Sequence, residues 1–88
     1  MISKTLVITN QIGFHARPAA LLVETAKKYL CTATISKGEG TADMHSMVEI
    51  LRLKAKLGDE VTVTMDGDGE EEAMNAVVEL IHAKFGEE

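Results

Sequence analysis

The chain has 88 residues, 45% of them hydrophobic, with 14 acidic and 9 basic side chains and a formal net charge of −5. That length supports one domain, spanning residues 1–88, with a small core. Net acidity and only three aromatic side chains exclude the basic footprint and stacking platforms of nucleic-acid binding, and no apolar run approaches the roughly 20 residues of a membrane span.

The charge is two-sided along the chain. Residues 59–88 carry ten acids against Lys84 alone, whereas residues 1–58 carry eight bases against four acids. The N-terminal stretch Met1-Ile2-Ser3-Lys4-Thr5 has no signal-like apolar region, so a cytoplasmic location is expected. A lone cysteine, Cys31, forms no internal disulfide and is expected to pack as a small apolar side chain.

In chain order, residues 2–9 alternate Ile2, Lys4, Leu6, Ile8 against Ser3, Thr5, Val7, Thr9, the period of a strand with one better-buried face. Asn10-Gln11-Ile12-Gly13 breaks that pattern as a loop. Ala19, Leu22, Val23, Ala26 and Leu30 then recur at helical spacing, and Pro18 requires this helix to start near residues 15–17. Residues 32–36 read as a second strand, and Gly38-Glu39-Gly40 turns into a short third strand around 40–43. Ser46 and Glu49 have the spacing of a capping box ahead of a short second helix that ends in the stretch Lys54 to Gly58. Residues 60–65 alternate as a fourth strand. A third helix opens on Glu70, Glu71 and Glu72, carries the stripe Ala73, Met74, Val77, Leu80, Ile81, and stops near Gly86. The order β-α-β-β-α-β-α predicts an α+β fold, with helices covering one side of a mostly antiparallel sheet.

The sharpest chemistry lies in Gly13-Phe14-His15-Ala16-Arg17-Pro18. His15 stands just before the helix that Pro18 forces to begin there, so the backbone N–H groups of Ala16 and Arg17 lie unused beside the imidazole. Such a setting welcomes an anion, and a phosphoryl group on the ring would meet amide donors and the Arg17 guanidinium. A solvated histidine at a helix start is the competing structural account. Asp66-Gly67-Asp68-Gly69-Glu70-Glu71 fails as a calcium loop, since Glu71 stands where glycine is required and Val77 where the closing glutamate belongs. His45, His82 and Cys31 lack ligand spacing, so no metal and no cofactor are expected.

Gly13-x-His15-Ala16-Arg17-Pro18-Ala19, with Ser46 opening a second helix, resembles the HPr family of phosphocarrier proteins of the phosphoenolpyruvate-dependent phosphotransferase system (PTS), over essentially the whole chain. The resemblance implies an open-faced β-sandwich, with a four-stranded antiparallel sheet under three helices. It implies that His15 takes a phosphoryl group from enzyme I on Nδ1 and passes it to an EIIA-type domain. Arg17 would neutralise the phosphate and the amides of Ala16 and Arg17 would cradle it. The protein would be a stoichiometric carrier, monomeric, and not an enzyme. Partners would dock on a patch assigned to Ala20, Met47, Val48 and Leu51, together with Lys27; core packing is the competing account of the apolar members.

In some members of the family the serine matching Ser46 is phosphorylated by the HPr kinase/phosphorylase. Here Glu49 departs from the usual glycine or lysine, and its carboxylate would repel a phosphoserine, so the cap is the favoured role of Ser46. His45 replaces a residue that is often basic, and Glu24 is a further departure. The alternative to a sugar-branch carrier is a nitrogen-branch (NPr-like) or other regulatory paralogue acting as a phosphorylation-dependent binding module.

Overall fold

The computed structural model describes residues 1–86. Its elements are β1 (Ile2–Val7), α1 (Ala16–Ala26), β2 (Thr32–Lys37), β3 (Gly40–Asp43), α2 (Met47–Arg52), β4 (Glu60–Asp66) and α3 (Glu70–His82), followed by a 3-10 turn, Lys84–Gly86. The four strands form one antiparallel sheet in the order β1-β4-β2-β3. The last strand of the chain thus lies in the middle of the sheet.

The register explains the alternation in the sequence. Ile2 and Leu6 share a face with Val61, Val63, Met65, Ala33, Ile35 and Ala42, and the β4, β2 and β3 members of that set are buried. The opposite face is hydroxyl-rich. Ser3, Thr64 and Thr34 align across three strands, as do Thr5, Thr62, Ser36 and Thr41 across all four. The Ser3–Thr64 and Thr5–Thr62 hydroxyls lie 2.8 and 3.1 Å apart. Open to water on one face and apolar on the other, the sheet takes all three helices on its apolar side. There α3 packs on β1 and β4, α2 on β3, and α1 on both other helices.

The expected helix and strand positions hold, with local differences. The period in α1 stops at Ala26, so Leu30 lies beyond the helix and is 89% exposed, not part of the apolar stripe. Four residues separate Ala26 from Leu30, the spacing of a helical face, but the Lys27–Tyr29 backbone closes in tight turns to Thr25 and Ala26 before the face can continue. The first strand ends at Val7, although Ile8 still exchanges hydrogen bonds with Gly58 and Asp59. Cys31 is buried, as expected of a small apolar side chain. Phe85 reaches the core in a left-handed conformation (φ +56°) after α3 has ended, a burial that helical periodicity could not foretell.

Candidate functional site

The loop of residues 8–15 is laid against residues 53–59, the segment between α2 and β4. Ile8 N donates to Asp59 O and Gly58 N donates to Ile8 O, both at 2.9 Å. Phe14 N donates to Ala55 O at 2.9 Å. The Phe14 ring meets Phe85 edge-on, at 6.1 Å between centroids and 83° between planes. Inside the loop, the Gly13 carbonyl accepts from the buried Asn10 Nδ2 (2.8 Å) and from His15 N (3.1 Å). Gly13 has φ +78°, and a Cβ there would press into the Ala55 carbonyl and stand 2.7 Å from Lys56 Cα. Only glycine permits this approach of two backbones, two residues before His15.

His15 is the N-cap of α1, extended at φ −118° and ψ −167°, and its carbonyl accepts from Ala19 N at 3.0 Å. Of the first three helical residues, Pro18 has no N–H, which leaves the amides of Ala16 and Arg17 as the donors that the helix itself cannot use. The His15 side chain does not cap them, and the first turn holds no acid. His15 is half-buried, while Ala16 and Arg17 are exposed. Among the described residues nothing pairs with the Arg17 guanidinium. The helix start therefore presents an imidazole, two amide donors, the positive end of a helix dipole and a free guanidinium together, a combination suited to a dianion on the ring.

The remaining expected residues are not all gathered there. Ala20, Met47 and Leu51 are half-buried on α1 and α2, which pack together, and Val48 is 58% exposed. Met47 and Leu51 rest partly on the core, so their apolar character serves packing as well as any surface. Lys27 is the C-cap of α1, about 18 Å along the helix from His15 at 1.5 Å per residue. Two apolar residues escaped the sequence reading: Ile12, 68% exposed within the His15 loop, and Leu57, 56% exposed in the opposing segment. An isoleucine inside a polar loop, outside any strand or helix period, was the available signal.

Ser46 is the N-cap of α2, and its Oγ accepts from Glu49 N at 3.3 Å. The capping box is only half formed. Glu49 Oε1 accepts instead from Asp43 N at 2.9 Å, while Ser46 N donates to Asp43 O. Asp43 Oδ1 accepts from His45 N at 2.8 Å and lies 3.1 Å from His45 Nδ1; the first of these bonds chiefly holds the carboxyl below its usual range. Two engaged carboxylates thus flank Ser46. Among the described residues no three His, Cys, Asp or Glu side chains are grouped to hold a metal ion, and no helix is long and apolar enough to cross a membrane.

Residues 2–83 match the family model of the PTS HPr component phosphorylation site. The chain belongs to the HPr family of phosphocarrier proteins. Phosphocarrier protein HPr of Cupriavidus necator is 34% identical over 87 residues, covering 99% of this chain and 98% of that protein. Phosphocarrier protein NPr of Escherichia coli K12 is 35% identical over 88 residues, covering 99% and 98%. In structure, HPr from Thermoanaerobacter tengcongensis superposes with a TM-score of 0.95 at 42% identity, covering 100% of this chain and 99% of that one. The open-faced sandwich expected from the resemblance is thereby the observed fold. The family carries phosphoryl groups within the PTS and is not enzymatic in the general sense.

Proposed function

We propose that this chain works in the cytoplasm, takes a phosphoryl group from phosphorylated enzyme I on His15, and hands it to a histidine of an EIIA domain. In the first step a ring-nitrogen lone pair, on Nδ1 as in the family, bonds to phosphorus as the bond from phosphorus to the donor's imidazole breaks. The second step repeats this with His15 as the leaving imidazole. Arg17 and the amides of Ala16 and Arg17 meet the phosphoryl oxygens in both directions. Because the helix start is open and shallow, it orients the group without burying it, as onward transfer requires. The observation that carries this reading is the placement of His15 at a helix N-terminus with two amides that the helix cannot use and a guanidinium that is unpaired among the described residues.

Docking falls to Ala20, Met47, Val48 and Leu51, joined by Ile12 beside His15, with Lys27 meeting a partner at the far end of α1. Ser46 acts as a cap. A phosphate on its hydroxyl would stand among the carboxylates of Asp43 and Glu49, which disfavours an HPr kinase/phosphorylase as partner. Full-length identity to NPr proteins, level with that to HPr proteins, supports a nitrogen-branch or regulatory role as the second reading. The test is incubation with phosphoenolpyruvate and enzyme I of the sugar or the nitrogen branch. One acid-labile phosphate is expected on the wild type and none on His15→Ala. A wild type left unlabelled by both enzymes would overturn the proposal, and the faster donor identifies the branch.

A further inference from the structure

Lys37 closes β2, where its side chain follows Ala33 and Ile35 toward the helical layer. Its Nζ donates to Lys54 O at 3.0 Å and to Leu53 O at 3.3 Å, two carbonyls at the end of α2, and pairs with Asp59 Oδ2 at 3.1 Å. The same Asp59 oxygen accepts from Lys56 N at 2.9 Å. A cation on the last carbonyls of a helix is favourable, and here it also holds Lys54 in a left-handed conformation (φ +55°) that lysine seldom adopts. Lys37 and Asp59 thus grip the 53–59 segment from both ends. Between them lies Ala55, whose carbonyl takes Phe14 N and blocks any Cβ on Gly13.

We propose that Lys37 and Asp59 are positioning residues for His15, acting through the segment 53–59 that supports the loop 8–15. The inference rests on the phosphoryl-acceptor role of His15. Four backbone contacts join the two segments: Ile8 with Asp59, Ile8 with Gly58, Phe14 with Ala55, and Gly13 against Ala55 and Lys56. The Phe14–Ala55 hydrogen bond passes a displacement at Ala55 directly to Phe14, the residue before His15. Lys37 and Asp59 are each about one-third exposed, so their ion pair is screened and adds little to overall stability. Its consequence is local geometry, and loss of geometry at a transfer site is costly.

The variants are Lys37→Met and Asp59→Asn, each measured for urea stability, for the His15 ring signals in ¹H–¹⁵N spectra, and for kcat and KM of phosphorylation by phospho-enzyme I. Both are expected to move the ring signals and lower kcat about tenfold with KM unchanged. Lys37→Arg, which spans the same three oxygens, is expected to restore kcat. Val77→Ala, a core truncation on α3, supplies a stability loss away from the loop and is expected to leave kcat alone. Wild-type kcat and ring signals in both variants would overturn the proposal, as would a kcat loss that Val77→Ala reproduces at equal stability. Should Lys37→Met fail to fold, Asp59→Asn decides. A wild type that accepts no phosphate refutes the acceptor role of His15, while the ring spectra still decide whether the clamp positions it.

Discussion

Gly13→Ala tests the contact on which the His15 loop depends. At φ +78° an alanine carries left-handed strain of about 1–2 kcal/mol. Its Cβ would also press into Ala55 O and Lys56 Cα, backbone atoms of residues held by hydrogen bonds to Phe14 and Asp59, so neither can swing aside as a flexible side chain would. Separating the strands of chain weakens or breaks the Phe14–Ala55 hydrogen bond, a further loss of about 1 kcal/mol. Together these give about 2–3 kcal/mol, measurable by urea denaturation and survivable for a domain of ordinary stability. Transfer to His15 should slow by about 10- to 100-fold, because the loop can relieve the clash only by moving away from the segment 55–56. Gly38→Ala is the control: φ is +59° but nothing lies within 4 Å, so only conformational strain remains. If the two alanine variants lose equal stability and both keep wild-type transfer rates, the close packing of Gly13 has no consequence and the reasoning fails.

Three further outcomes follow from the hydrogen bonds. Ser46→Ala should cost about 1 kcal/mol through loss of the α2 cap, and Ser46→Asp should fall below wild type despite its capping oxygen, because Asp43 and Glu49 flank it; Glu49→Gln should restore the aspartate variant, all read by thermal melts. Asp43, Asp59 and Glu70 are held below the usual carboxylate range, chiefly by the N–H groups of His45, Lys56 and Gly67, and the Met1 amine is raised, chiefly by Glu70. The carboxylate contributions are fully present above an unfolded pKa of about 4 and are lost as pH falls through the folded values, while the amine's is present below about 8 and is lost as pH rises past its folded value. Melting temperature should therefore plateau between these limits, and Glu70→Gln should make both limbs shallower, since Glu70 serves in both; unchanged limbs would contradict the assignment. Lys54→Gly removes a side chain from a left-handed position and should be neutral to about 1 kcal/mol stabilising; a loss by urea denaturation would contradict this.

Much of the fold is written in local period. Strands with one buried face, a proline that dates the start of α1, and a glycine-marked hairpin each depend on neighbours in sequence, and these were legible. The α1 start followed from Pro18 and the apolar period after it, which set His15, Ala16 and Arg17 at the helix N-terminus. What stayed hidden depends on tertiary contact. Leu30 matches the helical period but lies past the point where the backbone turns. Glu49 has the spacing of a capping box, yet its carboxylate accepts from Asp43 N, while Ser46 N donates to the Asp43 carbonyl. Lys37, a lone cation at the end of a strand, gives no sign of its role until α2 is folded over it.

The divided charge of the chain takes its meaning from the β1–β4 register. Val7 pairs with Glu60 at one end and Ile2 with Met65 at the other, so the turn carrying Asp66, Asp68 and Glu70–Glu72 lies about 17 Å along the sheet from where the His15 loop begins. That exceeds a Debye length of about 8 Å at physiological ionic strength, and the Met1 amine sits 3.2 Å from Glu70 and 3.6 Å from Asp66. The acids of that turn therefore do little to oppose a phosphoryl dianion on His15, whatever the net charge. Within the acidic portion, Asp59 and Glu60 lie at the His15 end; the charge of Asp59 is matched by Lys37, and its backbone carries the loop. An acidic protein can thus present an anion-accepting helix start because the acid cluster of residues 66–72 stands at the opposite end of the sheet, and Asp59, at the near end, is paired with Lys37.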